Sequence, residues 1–238
     1  MAAHKPSLYL DTNIFSVLHY RGGLVELQNQ QIVTREWWDI ERLNFNLFAS
    51  AVVEDELEQG VYPGKAKAVA MVRRLPFLPM RTEVVTCKDL YLEHRLVPSN
   101  KLFDAAHLAL ASVHGIDYLM TWNQTHLANL EIQERLKALN ARMGYENALA
   151  CHAHVDSEVY LWSNASEEGN VKKGEAKPDG PEVARIRKVR DQLVKRYKTF
   201  DALWAHWLEL DKQHRAQINA KRKRVKKAPV LPGHKRAS

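Results

Sequence analysis

Short apolar runs alternate with stretches of helical spacing through the first 155 residues or so. Ser7–Leu10 is an apolar run closed by Asp11 and predicts a strand. Asp-Thr-Asn then offers side chains that turn the backbone and cap a helix near Ile14. Trp37, Trp38, Glu41 and Phe45 predict a helix over residues 34–46, with Thr34 as its N-cap. Residues 47–50 read as a second strand, followed by a helix through Val53 and Leu57 that stops at Gly60. After the turn Tyr62-Pro63-Gly64, residues 65–75 form an amphipathic helix and residues 83–86 a third short strand. A helix through Leu90 and Leu96 reaches Pro98, and the Ala-rich helix 102–114 closes on Gly115. A strand over 117–121, a helix over Leu130–Met143 stopped by Gly144, and a last strand over 148–155 complete the series. Strands separated by helices of this length predict an α/β fold of three α/β/α layers around a mainly parallel central sheet.

The pattern changes beyond this body. Four segments follow from it: a domain over 1–158, a flexible linker over 159–180, a helical extension over 181–215, and a basic disordered tail over 216–238. The linker is rich in Ser, Glu, Lys and Gly without apolar periodicity. Pro181 suits a first helical position, and Val183, Ile186, Val189, Leu193 and Tyr197 follow with helical spacing. Leu203, Trp204, Trp207, Leu208 and Leu210 give a second apolar helix face.

Charge divides the chain at the same place. Residues 1–170 hold 15 Lys and Arg against 21 Asp and Glu, whereas residues 171–238 hold 20 against 7. The body is therefore acidic and the extension strongly basic, although the net charge is +7. Two cysteines, Cys87 and Cys151, do not suggest a disulfide framework. With no signal peptide or membrane-spanning run in the pattern, a cytoplasmic protein with no membrane partner is expected.

Four oxygen-bearing side chains follow predicted strands or open helices: Asp11, Glu56, Asp104 and Asn123. In a parallel α/β sheet, ligands bind beyond the carboxyl ends of the strands. Each acid alone has a plainer reading, as a helix cap (Asp11), a solvated helix residue (Glu56) or a first-turn acid (Asp104). Together they would repel: two unit charges about 4 Å apart cost roughly 4 kcal/mol at an effective dielectric near 20. A hard divalent ion offsets that repulsion, and a water it retains can attack a phosphodiester.

The wording around these acids is more specific than their charges. Tyr-Leu-Asp-Thr-Asn (9–13), Ser-Ala-Val-Val-Glu-Asp-Glu-Leu-Glu-Gln-Gly (50–60), Asp-Ala-Ala-His-Leu-Ala (104–109) and Asp-Tyr-Leu-Met-Thr-Trp-Asn (117–123) resemble the PIN-domain family. They are most similar to its VapC-like toxins of type II toxin–antitoxin systems, over about residues 7–145. The resemblance implies a PIN-like fold and an endoribonuclease dependent on Mg2+ or Mn2+. It implies metal binding by Asp11, Glu56 and Asp104, with Asn13 and Thr121 supporting them, RNA as substrate, and a homodimer. Asn123 stands where many members carry a fourth Asp. It keeps an oxygen but loses a charge, so one metal ion is expected and not two.

The basic extension weakly resembles small antitoxin-like proteins. Independently of that, a tethered basic amphipathic helix could dock on the acidic body and bring Arg or Lys to the carboxylates. The competing reading is an RNA-binding tail, with cations for phosphates and Trp for bases. A second function class follows: a weak or inactive PIN scaffold acting as an RNA-binding or regulatory protein. Cys151, His152 and His154 lack a second ligand pair at zinc spacing. His107 reads as a core or supporting histidine. No glycine-rich phosphate loop is present.

Overall fold

The computed structural model of the protein describes residues 5–145, 149–151 and 181–227. Four strands among these form one sheet: β1 (Ser7–Leu10), β2 (Asn46–Phe48), β3 (Tyr118–Met120) and β4 (Leu149–Cys151), in the order β2-β1-β3-β4. Every pairing is parallel, with Leu8 opposite both Leu47 and Tyr118, and Tyr118 opposite Leu149. This is the α/β architecture that the pattern predicts. Central β1 buries Leu8, Tyr9 and Leu10, which explains a continuous apolar run in place of alternation. All carboxyl ends lie along one edge, and β1 has neighbours reached by different crossovers on its two sides. That edge is where a parallel sheet opens a crevice.

The helices of the body are α1 (Thr12–Leu18), α2 (Val25–Ile40), α3 (Ala51–Gln59), α4 (Lys65–Val72), α5 (Thr82–Glu93), α6 (Leu102–Val113) and α7 (Leu130–Met143). Gly144 ends α7 in the left-handed region at φ 73°, the conformation a helix-terminating glycine supplies. Two helices differ from the sequence pattern. Residues 83–86 are not a strand but lie in α5, where Val84, Cys87, Lys88 and Tyr91 are buried at helical spacing. Packing against α6 outweighs the local β-preference of Val84-Val85-Thr86. That helix stops before Leu96 because Arg95 turns left-handed (φ 50°), and Leu96 N–H returns to Tyr91 O at 2.8 Å. Thr34 does not cap a helix; it lies inside α2, its hydroxyl donating to Gln30 O at 2.6 Å. Leu27, Thr34 and Trp37 are the buried positions that fix α2, and a 3-10 turn over Arg42–Asn44 leads into β2.

Beyond the body come α8 (Pro181–Tyr197) and α9 (Phe200–Lys227). The tail predicted to be disordered from 216 is helical as far as Lys227. Its Lys and Arg residues are good helix formers, and no proline intervenes before Pro229. The two helices are not a satellite of the body: Val189, Leu193, Leu203 and Trp207 belong to the same hydrophobic cluster as Leu8, Phe103 and Leu108. Trp207 is fully buried, edge-on to Phe103 with ring centroids 5.2 Å apart. Removing such a side chain costs about 3–5 kcal/mol. The Cys151-His152-His154 combination lies largely outside the described residues. No helix among the described residues is long and apolar enough to cross a membrane.

Candidate metal centre

Asp11 follows β1 directly and caps α1, its Oδ1 accepting Thr12 N–H at 2.7 Å. Its Oδ2 accepts the Thr121 hydroxyl at 2.7 Å and Asn13 Nδ2 at 2.6 Å. Asn13 Oδ1 in turn accepts Trp122 N–H at 2.9 Å, so the ends of β1 and β3 are tied through these two residues. Both predicted supporting residues thus hold one oxygen of Asp11 and leave the other directed at the site. Ser50 starts α3 by accepting Val53 N–H at 3.3 Å, which sets the phase that points Glu56 inward. Glu56 Oε2 accepts the Thr12 hydroxyl and lies 3.2 Å from His107 Nε2. Asp104 sits in the first turn of α6, one turn before His107.

Asp11, Glu56, Asp104 and His107 each expose 2% or less of their surface. Asp11, Glu56 and His107 offer one ligand atom each within 4.8 Å of one another, a buried group that could hold a metal ion. Asp104 stands outside this tightest group, and its Oδ2 is buried with no hydrogen-bond partner. Converging buried carboxylates and an orphaned carboxylate oxygen are what a divalent cation would satisfy, so the donor set fits one. Asn123 is placed differently from the sequence expectation. Its Oδ1 accepts His126 N–H at 3.2 Å, and its Nδ2 donates to Asp104 Oδ1 at 3.2 Å. It presents a donor to the site, not an oxygen ligand, because its oxygen shapes the loop after β3.

A cation does reach these acids, and it belongs to the chain. Arg190 of α8 donates from Nε to Glu56 Oε1 and from Nη1 to Asp104 Oδ1, with Nη2 3.5 Å from Asp11 Oδ1. Burial alone lowers the guanidinium pKa, but the charges of Glu56, Asp104 and Asp11 reverse this and raise it above the ordinary arginine value. Burial alone would likewise push the Glu56 carboxyl up; Arg190, then His107, bring it down to about 2. The cavity beside Arg190, lined also by Lys101, Phe103 and Asp104, measures about 20 Å³. That is room for about one water molecule, far too little for a nucleotide. A much roomier cavity of about 1000 Å³ lies at the opposite end of the sheet, among Ser7, Asn46 and Asp117, away from the acids.

The helical pair is anchored a second time on α3. Asp55 Oδ2 accepts Trp207 Nε1–H at 2.9 Å, and its Oδ1 lies 3.1 Å from His206 Nε2. Asp211 Oδ2 accepts Met80 N–H at 3.3 Å, and His214 stacks on Phe77 at 3.5 Å. Sequence reading missed Arg190, Asp55 and Asp211 as individual residues. One signal for Arg190 was present: it lies four residues after Ile186 and three before Leu193, a charge inside an apolar stripe. Comparison with family models, with curated proteins and with solved structures returned no match for the chain.

Proposed function

We propose that the chain is a PIN-like, metal-dependent endoribonuclease held in a closed state by its own C-terminal helices. The observation that carries this reading is the insertion of Arg190 among Asp11, Glu56 and Asp104. Buried acids at the carboxyl edge of a parallel sheet favour a divalent ion, Mg2+ or Mn2+, over a side-chain nucleophile. Such an ion supplies charge neutralisation at the phosphate and a water acidic enough to attack it. The chain's own residues do the positioning. Asn13 and Thr121 orient Asp11, and Thr12 orients Glu56. Asn123 orients Asp104. Arg190 lies where that cation and the substrate phosphate would both have to enter, so α8 serves as a built-in inhibitor. The part an antitoxin plays for a type II toxin would here be carried out within one chain.

One observation favours the second reading, a PIN-like scaffold that binds RNA or regulates without turnover: Asn123 offers the acids its amide nitrogen and not a fourth carboxylate. The two separate on incubation of the purified full-length protein with mixed RNA and Mn2+. The nuclease reading expects cleavage that disappears in Asp11→Asn. Retained RNA binding without any metal-dependent product, in the wild type and after substitution of Arg190, would favour the scaffold.

A further inference from the structure

We propose that the ion of this site is bound through an imidazole as well as carboxylates, with His107 Nε2 a direct ligand and the Tyr9–Ser50 hydroxyl pair fixing its ring. The inference rests on the metal-dependent reading and makes the site selective for Mn2+-like transition ions over Mg2+. His107 Nε2 is 3.2 Å from Glu56 Oε2 and 3.5 Å from Asp11 Oδ1. With metal–ligand bonds of about 2.1 Å, adjacent ligand atoms lie roughly 3.0 Å apart in an octahedron and roughly 3.4 Å apart in a tetrahedron. His107 Nε2 thus stands at ligand spacing from both carboxylates, and the three ligand atoms lie within 4.8 Å of one another. His107 is fully buried, so its imidazole is held there by packing and does not swing in from solvent.

A ligating histidine usually donates its other ring N–H to a fixed partner. Here Nδ1 lies 2.7 Å from the Tyr9 hydroxyl, which lies 2.7 Å from Ser50 Oγ. A hydroxyl both donates and accepts, so the Tyr9 link can run in either direction. Nε2 faces Glu56 Oε2 and Nδ1 faces the Tyr9 hydroxyl, with the donor and acceptor roles set by the tautomer. A bound ion would take the lone pair of Nε2, leaving Nδ1 to donate to Tyr9 and the Tyr9 hydroxyl to donate to Ser50. An all-oxygen set suits Mg2+; adding an imidazole favours the later divalent transition ions.

The test uses full-length protein, both wild type at saturating Mn2+ and Arg190→Met, and pulsed EPR of the bound Mn2+. The expected result is a nitrogen hyperfine coupling that changes to the 15N pattern when histidine alone is 15N-labelled. The coupling should vanish in His107→Gln and persist in His126→Gln. Tyr9→Phe should weaken Mn2+ binding by roughly 10–100-fold, as loss of an outer-sphere partner does. Mg2+ binding to Arg190→Met should change less than Mn2+ binding when His107 is replaced. Mn2+ bound without a histidine coupling would overturn the role of His107 and leave the metal-dependent reading standing. Failure of Arg190→Met to bind either ion would overturn both. The labelling arm decides the matter even if His107→Gln does not fold.

Discussion

The Arg190 guanidinium donates from Nε to Glu56 Oε1, joining two residues 134 positions apart in the chain. Neither group is comfortable without the other. A buried carboxylate that loses its cationic partner costs about 3–5 kcal/mol, and the same holds for the guanidinium. Any cation that replaces Arg190 must therefore offset the charge of Glu56 while Arg190 finds water. On the proposed reading, α8 docking and metal binding are two claims on the same oxygens.

Arg190→Met keeps an unbranched apolar stem on α8 but removes the guanidinium and its competing charge. Apparent ion affinity falls by the fraction of molecules in which the site is open. Titration calorimetry with Mn2+ should show binding by Arg190→Met tighter than by the wild type by roughly 10–100-fold. Equal affinities would mean that Arg190 does not compete with the ion.

Competition must run both ways, since coupling between two binding events is reciprocal. Mn2+ added to the wild type should therefore speed hydrogen exchange of amides in α8, with little effect on those of α6. Asp11→Asn, with a weakened site, should show a smaller change. Unaltered protection of α8 at saturating Mn2+ would contradict the linkage.

The acid side of the stability curve reports the same contact. The Glu56 carboxyl lies at about 2, below its ordinary value of 4.5, because Arg190 and His107 outweigh the opposing effect of burial. A depressed carboxyl pKa contributes stability above the unfolded value, and that contribution is lost as pH falls from about 4.5 towards 2. In Arg190→Met burial prevails and lifts the folded-state value of Glu56 above the unfolded one, so its contribution changes sign and stability falls as pH rises through that window. Urea midpoints between pH 2 and 6 should drop with acid in the wild type and show a flattened or reversed acid limb in the variant. Superimposable limbs would rule out a charge-paired Glu56.

Trp207→Phe keeps an aromatic ring beside Phe103 but withdraws the indole donor from Asp55. Leaving that buried carboxylate oxygen short of a partner costs about 1–3 kcal/mol. Urea unfolding should show a loss of that size, and a change of a few tenths would place the anchoring of α9 in its apolar contacts alone.

The positions of Asp11, Glu56 and Asp104 were legible because each follows or lies in an element whose pattern is strong, an apolar run, a helix stopped by Gly60 and an Ala-rich helix closed by Gly115, and because the wording around them resembles one family. Asn13 and Thr121 were legible with them, through the same resemblance. Asn123 was located, but the direction of its amide depends on the His126 backbone N–H, which no pattern at position 123 reveals. The strand expected at 83–86 failed because Val84 and Val85 favour strands locally, while burial of Cys87 and Tyr91 is a tertiary fact. Arg190 illustrates a further limit. The sequence marks a basic amphipathic helix and an acidic body, but which cation enters depends on the rotation of α8, fixed by Val189 and Leu193 in the common core. The same core shows why removing the extension is a poor test of inhibition: it would strip Val189, Leu193, Leu203 and Trp207 from the interior along with Arg190.

The most direct measurement is therefore the initial rate of RNA cleavage at a fixed, subsaturating Mn2+ concentration, comparing wild type with Arg190→Met, each with and without Asp11→Asn. A nuclease inhibited by its own arginine gives a rate for Arg190→Met at least about tenfold above the wild type, and both rates fall to background with Asp11→Asn. Equal rates for wild type and Arg190→Met, or cleavage that survives Asp11→Asn, would contradict the account.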